Sequence, residues 1–183
     1  MAYPITRKWL RPLLRLFIKK IKGKDNIPEG PFIIASNHRR LADPPFVLFP
    51  VLSKLKKKIH FISKPTWVFN KAMKILAERW GGCILLYDGK EAYKKAKNIL
   101  EAGGIVGIFP EGSSKRNHYK TGAVRLSYET KLPILPVGIR IVIKPFGSTI
   151  NIGKPYCIKS DKNPKRQTAS LLKKIYALRD EKI

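Results

Sequence analysis

His38 is followed five positions later by Asp43, a spacing that can do acid-base chemistry. An imidazole changes protonation near neutral pH, so it can take a proton from a hydroxyl and return it to a leaving group. It needs a partner on its other ring nitrogen to fix the tautomer and stabilise the imidazolium, and a carboxylate one turn away can fold back to supply one. The pair alone is equally compatible with a solvated loop histidine beside a helix cap. A second stretch bears on the choice. Gly107-Ile108-Phe109-Pro110-Glu111-Gly112-Ser113-Ser114-Lys115-Arg116 is again an apolar run that ends in a polar, glycine-containing, basic segment. Glu111 can hydrogen-bond free hydroxyls or hold its own loop through backbone amides, and both readings stay open. The backbone N–H groups of Gly112 and Ser113 suit an anion, with Lys115, Arg116 and Lys120 at hand for a phosphate.

The elements that must position these residues follow from the pattern around them. Ile33-Ile34-Ala35, bounded by Pro31 and by Ser36-Asn37, reads as a buried strand, and Asp43-Pro44 reads as a helix N-cap with proline at the first helical position. His38 then lies on a strand-to-helix loop, where open α/β sheets bind ligands. Strands are expected at 59–63, 83–87, 105–109, 133–142 and 148–152, and helices at 43–52, 67–80, 91–102, 122–131 and 164–180. If the 33–36 and 105–109 strands are parallel, their two loops face one another. Strands alternating with helices predict an α/β fold, a mixed and largely parallel sheet flanked by helices with right-handed crossovers.

Leu10, Leu13, Leu14, Phe17, Ile18 and Ile21 fall at the three-and-four spacing of one helical face, with Arg7, Lys8, Arg11, Arg15, Lys19 and Lys22 on the other. The spacing predicts an amphipathic helix from near Leu10 to Lys22, after a lead-in over Tyr3 to Trp9. A helix that packs on its own domain and one that lies on a membrane surface, with Trp9 at headgroup depth, both fit. The expected division is therefore 1–23 as a membrane-surface segment and 24–183 as the catalytic domain.

Composition narrows the partners. Of 183 residues, 38 are Lys or Arg and 12 are Asp or Glu, a net charge of +26, which recruits a polyanion such as nucleic acid or an anionic membrane. Lysines spread along every segment, with no base-reading motif, argue against nucleic acid. Cys83 and Cys157 lack metal-ligand spacing, so no metal site is expected; both are expected in the core, as free thiols in a reducing compartment. No run approaches the roughly 18 apolar residues of a spanning helix, and no export signal is evident. A peripheral location on the cytoplasmic face of the cell membrane is expected.

The chain resembles the lysophosphatidate and glycerol-phosphate acyltransferase family (PlsC-like) over roughly residues 24 to 156. Asn37-His38 with Asp43 is similar to the family's first motif, and Phe109-Pro110-Glu111-Gly112-Ser113 to its third. Lys120-Thr121-Gly122-Ala123 and Leu132-Pro133-Ile134-Leu135-Pro136-Val137-Gly138 continue the series. The resemblance implies transfer of a fatty acyl group from acyl-CoA or acyl carrier protein, as co-substrate and without a resident cofactor. The implied acceptor is a lysophospholipid hydroxyl, foremost 1-acyl-glycerol-3-phosphate, in phospholipid biosynthesis. It also implies that His38 is the base, that Asp43 orients it, and that Glu111 lies at the acceptor. Two departures stand out: Asp88 and Ser114 occupy positions where the family carries phosphate-associated arginines. The alternatives are another lipid acceptor, or a catalytically silent basic protein that binds lipid or nucleic acid.

Overall fold

A strand buried on both faces must be apolar at nearly every position, and Phe32–Ser36 (β2) is buried at all five. The structure, a computed structural model, describes residues 11–38, 43–55, 57–67, 70–111, 120–142 and 144–181. The other strands are Ile18–Lys22 (β1), Ile59–Ser63 (β3), Ile84–Leu85 (β4), Ile105–Ile108 (β5), Ile134–Arg140 (β6) and Ser148–Ile152 (β7). They form one sheet in the order β1-β7-β6-β2-β5-β3-β4. β2 lies at its centre, parallel to β5 with Phe32 opposite Ile105, and parallel to β6 with Ser36 opposite Val137. β3 pairs parallel with β5 and β4, and β1 with β7, while β6 and β7 pair antiparallel. The sheet is thus mixed and mostly parallel, as expected.

The helices are Arg11–Phe17 (α1), Asp43–Leu55 (α2), Lys71–Ile75 (α3), Gly89–Glu101 (α4), Gly122–Thr130 (α5) and Pro164–Asp180 (α6). From β2 the chain crosses through α2 to β3, beyond β5; from β5 it crosses through α5 to β6, beyond β2. The two crossovers run in opposite directions, so the same right-handed rule sends them to opposite faces. Phe32 and Ile34 join Phe46 and Val47 of α2 in one core layer, while Ile33 and Ala35 join Val124 of α5 and Leu171 of α6 in the other, the two-residue alternation of a strand. Between β2 and β5 the connections diverge, which opens a crevice at their carboxyl ends.

The structure corrects four expectations. The amphipathic N-terminal helix is not confirmed: the helix stops at Phe17, and Ile18–Lys22 is an edge strand whose Ile18 is fully buried. Apolar residues three apart fit either structure, and pairing with β7 decides for the strand. Leu14 points inward while Leu13 and Leu16 are 52% and 54% exposed, so the expected single apolar face is split. Leu10, Trp9 and the lead-in lie outside the described residues. The 67–80 helix begins only at Lys71, because the Asn70 side chain accepts a 2.8 Å bond from the Met73 N–H and caps it, and 76–80 continues as a wider turn with i to i+5 bonding. The 83–87 strand shrinks to Ile84–Leu85. Cys157 is exposed and Cys83 half-buried, both as free thiols; burial raises the Cys83 pKa.

Candidate active site

β2 ends at Ser36, and the next residue anchors the site. The buried Asn37 amide donates to the Ile139 carbonyl at 2.9 Å and accepts from the Ile139 N–H at 2.8 Å. Its side chain thereby adds one more rung to the β2 to β6 ladder after the backbone has turned away. His38 follows directly. Its Nδ1 stands 3.1 Å from Asp43 Oδ2, and the carboxylate belongs to the first turn of α2, where the helix dipole favours negative charge. Nδ1 makes no well-aimed hydrogen bond to that oxygen, so this is a close contact that can tighten into a linear hydrogen bond when substrate is bound. Asp43 is 4% exposed and His38 38%, with Nδ1 shielded from solvent, so the open edge of the ring is the one that carries Nε2. A buried acceptor on one nitrogen and an open second nitrogen are what a proton-transferring imidazole requires.

One face of the ring is covered. Phe109, just past β5, stacks on His38 with ring centroids 4.4 Å apart and 25° between planes. Phe61 of β3 stacks in turn on Phe109 at 5.4 Å and 11°. The first residues of the two expected loops are therefore neighbours, as a parallel β2 to β5 pairing demands.

Glu111 is tied toward the C-terminal helix. Its Oε1 accepts a 2.8 Å hydrogen bond from the Tyr176 hydroxyl of α6, and the Arg179 guanidinium, 4.7 Å above the Tyr176 ring, feels its charge. This bond gives Glu111 a structural tie to α6. The Lys120 N–H bonds the Pro110 carbonyl at 2.9 Å and closes the base of the intervening loop. Lys120 itself is exposed. Gly112, Ser113, Lys115 and Arg116 lie outside the described residues. Asp88 caps α4, its Oδ1 accepting from the Lys90 N–H at 2.7 Å, which explains a carboxylate there by local helix chemistry.

Two other features are separate from this site. His60 Nδ1 lies 2.9 Å from the Gly82 carbonyl, and burial lowers its pKa. A groove of about 590 Å³ runs between α1, β1 and α2, lined by Arg15, Lys19, Lys20, Lys24 and Phe49 among others, and includes neither His38 nor Asp43. Among the described residues no group of three His, Cys, Asp or Glu is placed to hold a metal ion, and no helix is long and apolar enough to cross a membrane.

The family model described as Acyltransferase matches residues 19–140, from β1 through β6, and takes in His38, Asp43, Phe109 and Glu111. The chain belongs to the acyltransferase family. Relatives within the acyltransferases include the probable 1-acyl-sn-glycerol-3-phosphate acyltransferase of Mycoplasma pneumoniae, 28% identical over 146 residues, covering 69% of this chain and 52% of the relative. The 1-acyl-sn-glycerol-3-phosphate acyltransferase of Pseudomonas aeruginosa is 27% identical over 136 residues, covering 70% and 52%. That of Bacillus subtilis is 29% identical over 130 residues, covering 64% and 60%. The chain spans about half the length of the curated relatives it matches. The crystal structure of the 1-acyl-sn-glycerophosphate acyltransferase PlsC from Thermotoga maritima has a TM-score of 0.69 at 20% identity, covering 97% of this chain and 83% of that one; it is similar in fold.

Within this acyltransferase the sequence missed three contributors. Asn37 was visible beside His38, yet its reach to Ile139, 102 positions away, was not. Phe61 and Tyr176 carry no local signal, since only the sheet order and the α6 docking bring them to the crevice.

Proposed function

We propose that this protein transfers a fatty acyl group from the thioester of acyl-CoA or acyl carrier protein to the hydroxyl of 1-acyl-glycerol-3-phosphate, giving phosphatidic acid and a free thiol. His38 Nε2 takes the hydroxyl proton as the oxygen attacks the thioester carbonyl. As the tetrahedral intermediate collapses, the C–S bond breaks and the same proton passes to the thiolate. Asp43 holds Nδ1 and stabilises the imidazolium between the two transfers. The observation that carries the reading is the His38 to Asp43 pair, 3.1 Å apart at the carboxyl end of the central strand, with the second ring nitrogen open.

The acceptor phosphate falls to Lys115, Arg116 and Lys120, since Asp88 serves as a helix cap. The enzyme works on an anionic membrane surface, as a peripheral protein on its cytoplasmic face. In support, Leu13, Leu16 and Phe146 are exposed, and the Phe146 N–H bonds the Leu16 carbonyl at 2.8 Å, so an apolar patch lies among the cations of a chain of charge +26.

The deciding experiment mixes purified protein with acyl-CoA and 1-acyl-glycerol-3-phosphate and follows thiol release. His38→Ala should lose on the order of a hundredfold or more in turnover while it keeps its circular dichroism spectrum. A folded His38→Ala with near-normal turnover removes the histidine from the mechanism.

A further inference from the structure

The Asp43 contact fixes only one atom of the His38 ring. Rotation about that contact would still swing Nε2 across the crevice, and proton transfer loses rate steeply when the acceptor is misplaced by even an ångström. A flat surface against the imidazole removes that freedom, and Phe109 supplies one at 4.4 Å and 25°. Phe109 is itself backed by Phe61, which is 5% exposed within the α2-side core. Phe61 in turn occupies space that only a glycine leaves: a Cβ on Gly107 would meet its Cδ1 and Cε1 at 2.4 Å. Glycine inside a strand weakens it, and its usual reason is the close approach of another group. Here that group is an aromatic ring from the adjacent strand.

We propose that Phe109, seated on Phe61 in the notch at Gly107, is a positioning residue that sets the plane of the His38 ring and so aims Nε2 at the acceptor hydroxyl. The column spans β5, β3 and the loop after β2, so the base is oriented by the sheet interior as well as by its carboxylate. It also closes one face of the imidazole to water, leaving substrate a single side of approach. The inference rests on His38 being the base, and its test has a readout that does not.

The ring protons of a stacked imidazole are shifted upfield by the neighbouring aromatic ring, and with 3 histidines in the chain the His38 resonances can be assigned by substitution. In the full chain, Phe109→Leu, which keeps an apolar side chain, should move them downfield. It should lower kcat about tenfold or more while the acceptor KM stays within about twofold. Phe109→Tyr, which keeps the ring, should restore both the shift and the rate. Gly107→Ala should push Phe61 and reproduce part of the loss, whereas adding it to Phe61→Leu should cost little more, because the clash partner is gone. Unmoved resonances in Phe109→Leu, an unchanged kcat, or a loss that Phe109→Tyr fails to restore would overturn the proposal. If instead His38→Ala turns over normally while the wild-type shift is present, the base assignment fails and takes the positioning role with it, though the stacking stands.

Discussion

Replacing Asn37 by alanine removes the two hydrogen bonds that tie the end of β2 to Ile139. Both are buried, so the Ile139 N–H and C=O lose a partner where water cannot readily replace it. Leaving one buried polar group unpaired costs about 1–3 kcal/mol, so the pair amounts to about 2–6 kcal/mol. For a chain of this size each kcal/mol lowers Tm by about 2–4 °C, which places the expected drop at about 4–24 °C. Asn37→Asp separates the two bonds: the carboxylate still accepts from the Ile139 N–H, but it meets the carbonyl with a second acceptor and should remain well below wild type. Thermal and urea unfolding monitored by circular dichroism read both variants. Turnover measured well below each Tm should fall as well, because His38 is the next residue on the loosened segment. A Tm within about 2 °C of wild type for Asn37→Ala would show that water or a backbone shift satisfies Ile139, and that the amide is not the anchor described here.

Neutralising Lys115, Arg116 and Lys120 together should raise the acceptor KM far more than the donor KM, read from initial rates with each substrate varied in turn. Serine at Leu13, Leu16 and Phe146 should weaken sedimentation with anionic vesicles without changing the Tm, since all three side chains are exposed; wild-type binding should fall with salt but keep an apolar remainder. Point substitutions suit this test better than removal of residues 1 to 22, which would strip β1 from the sheet. His60 has its pKa lowered from the ordinary 6.5 by burial, so between that value and its folded pKa the unfolded chain binds more protons. Stability should therefore fall as the pH drops below about 6.5, and His60→Asn should flatten that dependence in urea midpoints measured from pH 5 to 7.5.

The sequence made legible whatever depended on unbroken patterns. β2 and β5 are buried at every position and apolar at all but Ser36, as central parallel strands must nearly be. Asp43-Pro44 marked the start of α2 beside the His38 loop, though Asp43 lies in the first turn of the helix and not at its cap. The failures fell where neighbours overrule pattern. Ile18-Lys19-Lys20-Ile21-Lys22 carries apolar residues at a helical spacing, and only β7 makes it a strand. The Asp88 cap was hidden because a motif position says nothing about which backbone amide its side chain can reach. Glu111 gave no local sign of its partner, because Tyr176 lies 65 residues on.

The lateral order of the sheet also sets a schedule. β2 sits between strands made about 70 and about 100 residues later, and the Tyr176 partner of Glu111 comes later still. At a synthesis rate of about 5–20 residues per second, His38 leaves the ribosome roughly 7–30 seconds before α6 is complete. For much of that interval the buried central strand lacks its lateral partners, and its loop lacks the Ile139 anchor. The order of synthesis therefore leaves the His38 loop unanchored until β6 is made, and places the Glu111 to Tyr176 bond later still.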